Sequence, residues 1–243
     1  MSTSCLVDKL SYYVDLAPAE VRLLAQLEEV ERRFAAQEEI HGTGEEEDRL
    51  HVVKKGWLYT YVDMPDGRRQ IVRVQHPGDI VGFPDIAFTY ATTTLRASED
   101  VVLCPFPKAN LDDIFVNSPR LTALLFALAN RDMACVVDTI RALGRMSARE
   151  RLTYFLLDLI ARLRITNKSI TDTIRLPLTQ TEIGDALGLT HTYVSKSLGA
   201  MEDDGLIRRA GQSVTLLKEE ALRTSIDFID RYKTLDTKWF PSG

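Results

Sequence analysis

The sequence is poor in the features that mark several large classes of protein. Only three cysteines occur among 243 residues, at positions 5, 104 and 135. Their wide spacing and odd number fit neither a disulfide framework nor a clustered thiolate metal site. No apolar run approaches the roughly 20 residues that a membrane-spanning helix needs. The opening stretch MSTSCLVDKLSYY is interrupted by Asp8 and Lys9 and does not read as a secretory signal, so a cytoplasmic protein is expected. Cationic excess is missing as well: 30 Lys and Arg face 35 Asp and Glu, a net charge of −5. That balance excludes a chain that holds phosphate through a generally basic surface. There is no internal repeat and no low-complexity tract.

What remains is an ordinary globular composition, 45% hydrophobic, at a length that suggests two domains. Residues 18–29 (PAEVRLLAQLEE) place Pro18 in a first turn and Val21, Leu24, Ala25 and Leu27 on one face, which predicts a short amphipathic helix. From about Glu31 to Pro107 the texture is β. LHVV (50–53), GWLYTYV (56–62), RQIVRVQH (69–76) and VVLCPF (101–106) are separated by turn signals at Asp66-Gly67 and at HPGD (76–79). Short strands at regular spacing predict a small antiparallel barrel or jelly roll. Such a roll serves equally to hold a ligand or simply to pack a core. A short helix over 108–117 follows.

Ser118-Pro119 is a cap followed by a first-turn proline, and the helix it starts runs to about Leu143 with two apolar stripes. Phe126, Met133, Val137 and Ile140 lie on one side. Leu121, Leu125, Leu128, Cys135, Val136 and Leu143 lie roughly opposite. One stripe suits the barrel and the other needs a second partner, most economically a twin helix in a two-fold dimer. The second set is assigned to that dimer interface; burial of the whole helix in one subunit is the alternative. On this assignment a Cys135 disulfide across the dimer is conceivable, beside the plainer role of a small core residue. Ser147-Ala148-Arg149-Glu150 is a capping box that starts the next helix, to about Leu163.

The richest stretch is Thr179 to Ile207, TQTEIGDALGLTHTYVSKSLGAMEDDGLI. Thr179 and Glu182 form a capping box, and Ile183, Ala186 and Leu187 recur at helical spacing. Gly188 permits a sharp turn, and Thr190 caps a second helix with Val194, Leu198 and Met201 as its buried stripe. With so short a turn the two stripes are buried against each other and one further element. The second helix then shows its opposite face to solvent, the helix-turn-helix arrangement that enters the DNA major groove. At about 100° per residue, Thr192, Lys196 and Gly199 point outward, with Ser195 at the edge and His191 on the flank. Thr192, Ser195 and Lys196 are the expected base contacts; Thr179, Gln180, Thr181 and His191, near helix starts, are the expected phosphate contacts. A hairpin around Ala210-Gly211-Gln212 reads as a wing, and Lys218 to Tyr232 as a terminal amphipathic helix bearing Leu222, Ile226 and Ile229.

A roll, a long helix and a C-terminal winged helix in this order resemble the cyclic-AMP receptor protein / fumarate-nitrate regulator (Crp/Fnr) family of bacterial transcription factors. The likeness runs from about Cys5 to Leu217. It is most specific in LTQTEIGDALGLTHTYVSKSL (178–198), and visible also in GWLY, PDGRRQI, the PGD turn and SARERL. It implies an α+β fold in three parts: a β-roll sensory domain over 1–117 (a cyclic-nucleotide-binding-like jelly roll), a dimerisation helix over 118–145, and a winged helix-turn-helix DNA-binding domain over 146–243. It further implies a homodimer on two-fold-symmetric double-stranded DNA, contacts with RNA polymerase, and no membrane partner.

Departures from the family pattern are informative. Where members reading the best-known half-sites carry glutamate and arginine, this chain has Thr192 and Lys196, so a different half-site is expected. Gly82 is followed by Phe83, and the phosphate-binding arginine position of the cyclic-nucleotide branch falls on Ala91, which predicts no tight cyclic-AMP binding. Cys5 alone near the N-terminus predicts no iron–sulfur cluster. His41, His51 and His76 leave haem or another metal open beside ordinary core or surface roles; no metal or cofactor is predicted, and the effector is unknown. The histidine–glutamate spacing of a cupin enzyme is absent, and no catalytic constellation suggests an enzyme. A module whose winged helix docks a protein partner is the competing reading.

Overall fold

The computed structural model describes residues 4–241. They form two compact units. One comprises the described residues up to Val62, Val72–Asp132 and the tail from Thr234; the other comprises Asp63–Ile71 and Met133–Lys233.

The first unit opens with two helices, α1 (Cys5–Leu10) and α2 (Pro18–Gln26). Eight strands follow: β1 (Arg32–Phe34), β2 (Glu39–His41), β3 (Arg49–Lys55), β4 (Leu58–Asp63), β5 (Arg69–Gln75), β6 (Ile80–Val81), β7 (Thr94–Ala97) and β8 (Val101–Pro107). They build two four-stranded sheets in the orders β1-β8-β3-β6 and β2-β7-β4-β5, the expected antiparallel roll. Its packing follows from the two-residue period of a strand. Leu50 and Val52 of β3, with Cys104 and Phe106 of β8, pack on Leu6, Leu10 and Leu24 of α1 and α2. Val53, Val101 and Leu103 point the other way, onto Leu58, Leu95 and Ala97 of the second sheet. Burial on both faces is why these strands read as continuous apolar runs.

Three further helices are α3 (Leu111–Asn117), α4 (Pro119–Arg145) and α5 (Ala148–Thr166). Ser118 caps α4, accepting from the Leu121 N–H at 3.1 Å while its hydroxyl donates to Glu20 at 2.8 Å. The two stripes of α4 are present, but the dimer assignment made from sequence requires correction. Leu121 and Leu125 are buried with Leu124 in the core under β3 and β8, and Leu128 packs at its edge. Cys135 is buried too, as the plainer role of a small core residue requires. Only Val136 and the half-buried Leu143 of the assigned set lie toward the open side. That side carries Phe126, Met133 and Ile140, with 63%, 65% and 65% of their surface exposed. Two stripes are legible in a sequence; which one is buried at Leu121 to Leu128 depends on where α1, α2 and β8 deliver their apolar side chains.

The second unit completes the fold with β9 (Thr173–Arg175), α6 (Gln180–Leu187), α7 (His191–Asp203), β10 (Ile207–Ala210), β11 (Ser213–Leu216) and α8 (Glu219–Ser225). The expected terminal helix to Tyr232 is shorter than predicted. It ends at Ser225, Asp227 takes a positive φ of 49°, and Ile229 is exposed. The following residues are held instead by polar contacts: Arg231 donates to Asp138 at 2.8 Å and the Tyr232 hydroxyl to Asp158 at 2.8 Å. The tail beyond Thr234 falls with the roll and the hairpin tip Asp63–Ile71 with the winged helix, which linear boundaries after 117 and 145 do not anticipate.

Candidate nucleic-acid interface

The stretch from Thr179 folds as two capped helices on a floor supplied by α5. Thr179 Oγ1 accepts the Glu182 N–H at 3.1 Å and the Glu182 carboxylate accepts the Thr179 N–H at 2.7 Å, closing the capping box. Gly188 ends α6 in the left-handed region at φ 63°. Gly184, inside α6, matters for a different reason. A Cβ there would collide with the Leu189 carbonyl, so its bare backbone lets the turn close against the helix. Thr190 then caps α7, accepting the Tyr193 N–H at 3.3 Å. Val194, Leu198 and Met201 are buried together with Ile183 and Leu187 of α6 and Leu152, Leu156 and Leu159 of α5. This fixes the rotation of α7 about its axis.

With that stripe inward, Thr192, Ser195, Lys196 and His191 are all exposed, and the space over Gly199 is open. Gln180 and Thr181 are exposed in the first turn of α6. Thr179 is exposed as well, but its hydroxyl is engaged: it donates to Glu182 at 2.9 Å as well as capping. Two candidates escaped the sequence reading. Tyr193 is exposed next to Thr192, and Arg208 is exposed on β10. The signal for Tyr193 was its place outside the Val194–Leu198–Met201 stripe.

Electrostatics resolve the acidic balance locally. Arg209 holds Glu202 through its backbone N–H at 2.8 Å and its guanidinium at 2.9 Å, and those hydrogen bonds lower the Glu202 pKa. Arg149 pairs with Asp204 at 2.6 Å, and Arg69 pairs with Asp185 at 2.8 Å. Lys196 and Arg208, by contrast, have no ion-pair partner among the described residues. The acids on α6 and α7 are thus partly compensated while cations on the exposed side keep their charge. The wing lies beside them: β10 and β11 pair from Ile207↔Leu216 to Ala210↔Ser213 around Gly211, and β9 adds a third strand.

Comparison with known proteins places this geometry. Residues 150–225 match the model of the Crp-like helix-turn-helix domain, and residues 31–118 match that of the cyclic nucleotide-binding domain. The chain belongs to the Crp/Fnr family of transcriptional regulators. Its relatives include the regulatory protein HlyX of Actinobacillus pleuropneumoniae, 27% identical over 90% of this chain and 91% of HlyX. The fumarate and nitrate reduction regulatory protein of Vibrio cholerae is 27% identical over 90% and 87% of the two chains. Among solved structures, FixK2 from Bradyrhizobium japonicum superposes with a TM-score of 0.72 at 26% identity, over 80% of this chain and 96% of FixK2.

In this Crp/Fnr regulator the stretch of the roll that begins at Gly82 is tied together by its own polar contacts. Gly82, at φ 97°, opens a short helical turn, Phe83–Ala87. Asp85 is buried and accepts from the Thr92 N–H at 2.8 Å and the Thr92 hydroxyl at 2.5 Å. Lys108 points its ammonium at the Asp85 and Phe88 carbonyls, at 2.9 and 2.8 Å. Ala91 is buried, its N–H and carbonyl both paired to the 44–45 turn. The three histidines singled out above are also buried. His41 and His51 face each other from the two sheets, ring centroids 6.2 Å apart, with Glu47 at 3.3 Å from His41. Burial, with His41 and two arginines nearby, drives the His51 pKa down to about 4.

Proposed function

We propose that this regulator acts as a homodimer on a two-fold-symmetric site in double-stranded DNA. In this reading α7 of each subunit enters one of two successive major grooves, and contacts with RNA polymerase set the transcriptional output. The observation that carries it is the polar strip of Thr192, Ser195 and Lys196 standing exposed above the buried Val194, Leu198 and Met201. These three side chains reach base edges: Lys196 donates to guanine, and Thr192 meets a base edge or a thymine methyl. Gln180, Thr181 and His191 meet phosphates near helix N-termini, where backbone N–H groups add to the attraction. Thr179, whose hydroxyl is taken up by the cap, supports that contact by fixing the start of α6. Tyr193 and the wing residue Arg208 extend the footprint.

The uncovered seam of α4, rather than the set assigned from sequence, supplies the dimer contact in this reading. With Ala91 where a phosphate arginine would stand, the roll has no charge partner for a cyclic phosphate there. Tight cyclic-AMP binding is therefore not expected, and calorimetry detecting micromolar cyclic-AMP binding would contradict this. Selection of bound sequences from random DNA, followed by a salt-titrated gel shift, tests the whole reading. A palindromic operator with affinity falling steeply as salt rises is expected. An asymmetric consensus, or no enrichment, would overturn it.

A further inference from the structure

The exposed side of α4 has the spacing of a coiled-coil seam. Phe126, Met133 and Ile140 recur every seventh residue, and Ala129, Val136 and Leu143 follow each by three. Such a seam is self-complementary: in a two-fold pair each of these residues meets the neighbourhood of its own copy. Its first member, Phe126, is not alone. The tail from Thr234 lies in the same compact unit, with Leu235 and Phe240 packed on the core that holds Leu121, Leu124 and Leu125. Trp239 stands edge-on to Phe126, ring centroids 6.5 Å apart and planes at 86°, and edge-on to Phe240 at 4.7 Å. Though clasped by two rings, the indole keeps 54% of its surface exposed.

We propose that the tail 234–240 is a strap that completes the dimer seam, presenting Trp239 beside Phe126 to a second copy of this chain. Pinning a tail costs backbone and side-chain entropy. Leu235 and Phe240 offset that cost by burial, whereas Trp239 gains little while its face remains in water. An indole held rigid and half bare is an anchor of low entropic cost for a partner surface. Its continuity with the heptad seam identifies that surface as the same region of the second copy. The strap thereby makes the chain's last segment a determinant of dimer strength.

The inference rests on the homodimer reading, and sedimentation equilibrium of the full chain separates the two. The wild type and Trp239→Phe are expected to dimerise similarly, and Trp239→Ala to dimerise about tenfold more weakly, the scale of one lost aromatic anchor. Met133→Asp serves as the control that breaks the helix seam itself. If Trp239→Ala matches the wild type while Met133→Asp is monomeric, the strap is overturned and the dimer stands. If the wild type is monomeric at every concentration, the dimer reading falls and the strap with it.

Discussion

Helices α4 and α7 each bury one face and leave another bare, and the bare faces differ in chemistry. On α7 the uncovered side is small, polar and cationic: Thr192, Ser195 and Lys196 over a buried Val194, Leu198 and Met201. On α4 it is apolar, with Phe126, Met133, Val137 and Ile140 exposed over a buried Leu121, Leu125 and Cys135. Water solvates the first at no penalty, so a polar polyanion can replace that water by hydrogen bonds and counterion release. Water solvates the second poorly, and only an apolar partner relieves it. One subunit therefore carries the requirements for two partners, and the chemistry of each bare face selects its own.

Reversing the chemistry of the apolar face has the largest expected effect. Met133→Asp places a charge in the seam, and loss of the second half-site contact should weaken operator binding by roughly 100-fold or more through lost bivalency. Gel shifts at matched salt measure it, with circular dichroism confirming a folded chain. Next comes the hidden face of α7. Leu198→Ala should cost about 2–4 kcal/mol of stability by cavity formation, read from the denaturant midpoint. Retained stability would mean that the buried stripe does not orient the helix.

The polar face should respond in binding and not in folding. Lys196→Ala is expected to weaken operator binding by about 1–3 kcal/mol, most at one base position, with an unchanged unfolding midpoint. Acidification separates the roll from both helices. The folded-state pKa of His51 lies near 4 against an ordinary 6.5, because burial disfavours its charged form. Its stability contribution is complete above pH 6.5 and is lost as pH falls toward 4, since the unfolded chain takes up the proton first. Between pH 7 and 5 this one group should remove about 2 kcal/mol, and His51→Leu should abolish that slope. Smallest of all, Thr190→Ala removes the α7 cap and should cost about 1 kcal/mol.

Much of the DNA-facing arrangement was legible because its signals are local. The caps at Ser147, Thr179 and Thr190 and the Gly188 turn each depend on residues within four positions of one another, and the rotation of α7 is readable from one stripe, Val194, Leu198 and Met201. Strands β1, β2, β6 and β7, each two to four residues long, were not legible, since so short a run carries no measurable period. Nor was α1, six residues whose Leu6 and Leu10 earn their helix by packing beneath β3. The chemical role of Gly184 was equally hidden, because it is set by the approach of a carbonyl five residues on.

Periodicity and capping, read along the residues, establish the order of parts, the winged helix-turn-helix, the outward strip on α7 and the existence of two apolar stripes on α4. Which stripe is bare, the inward position of Cys135, the return of the tail to set Trp239 against Phe126 and the engagement of Glu202 by Arg209 emerge in the folded chain. Those outcomes depend on side chains brought together from distant or differently oriented segments. Periodicity can show that a face must be covered, but the identity of its cover is a property of the assembled core.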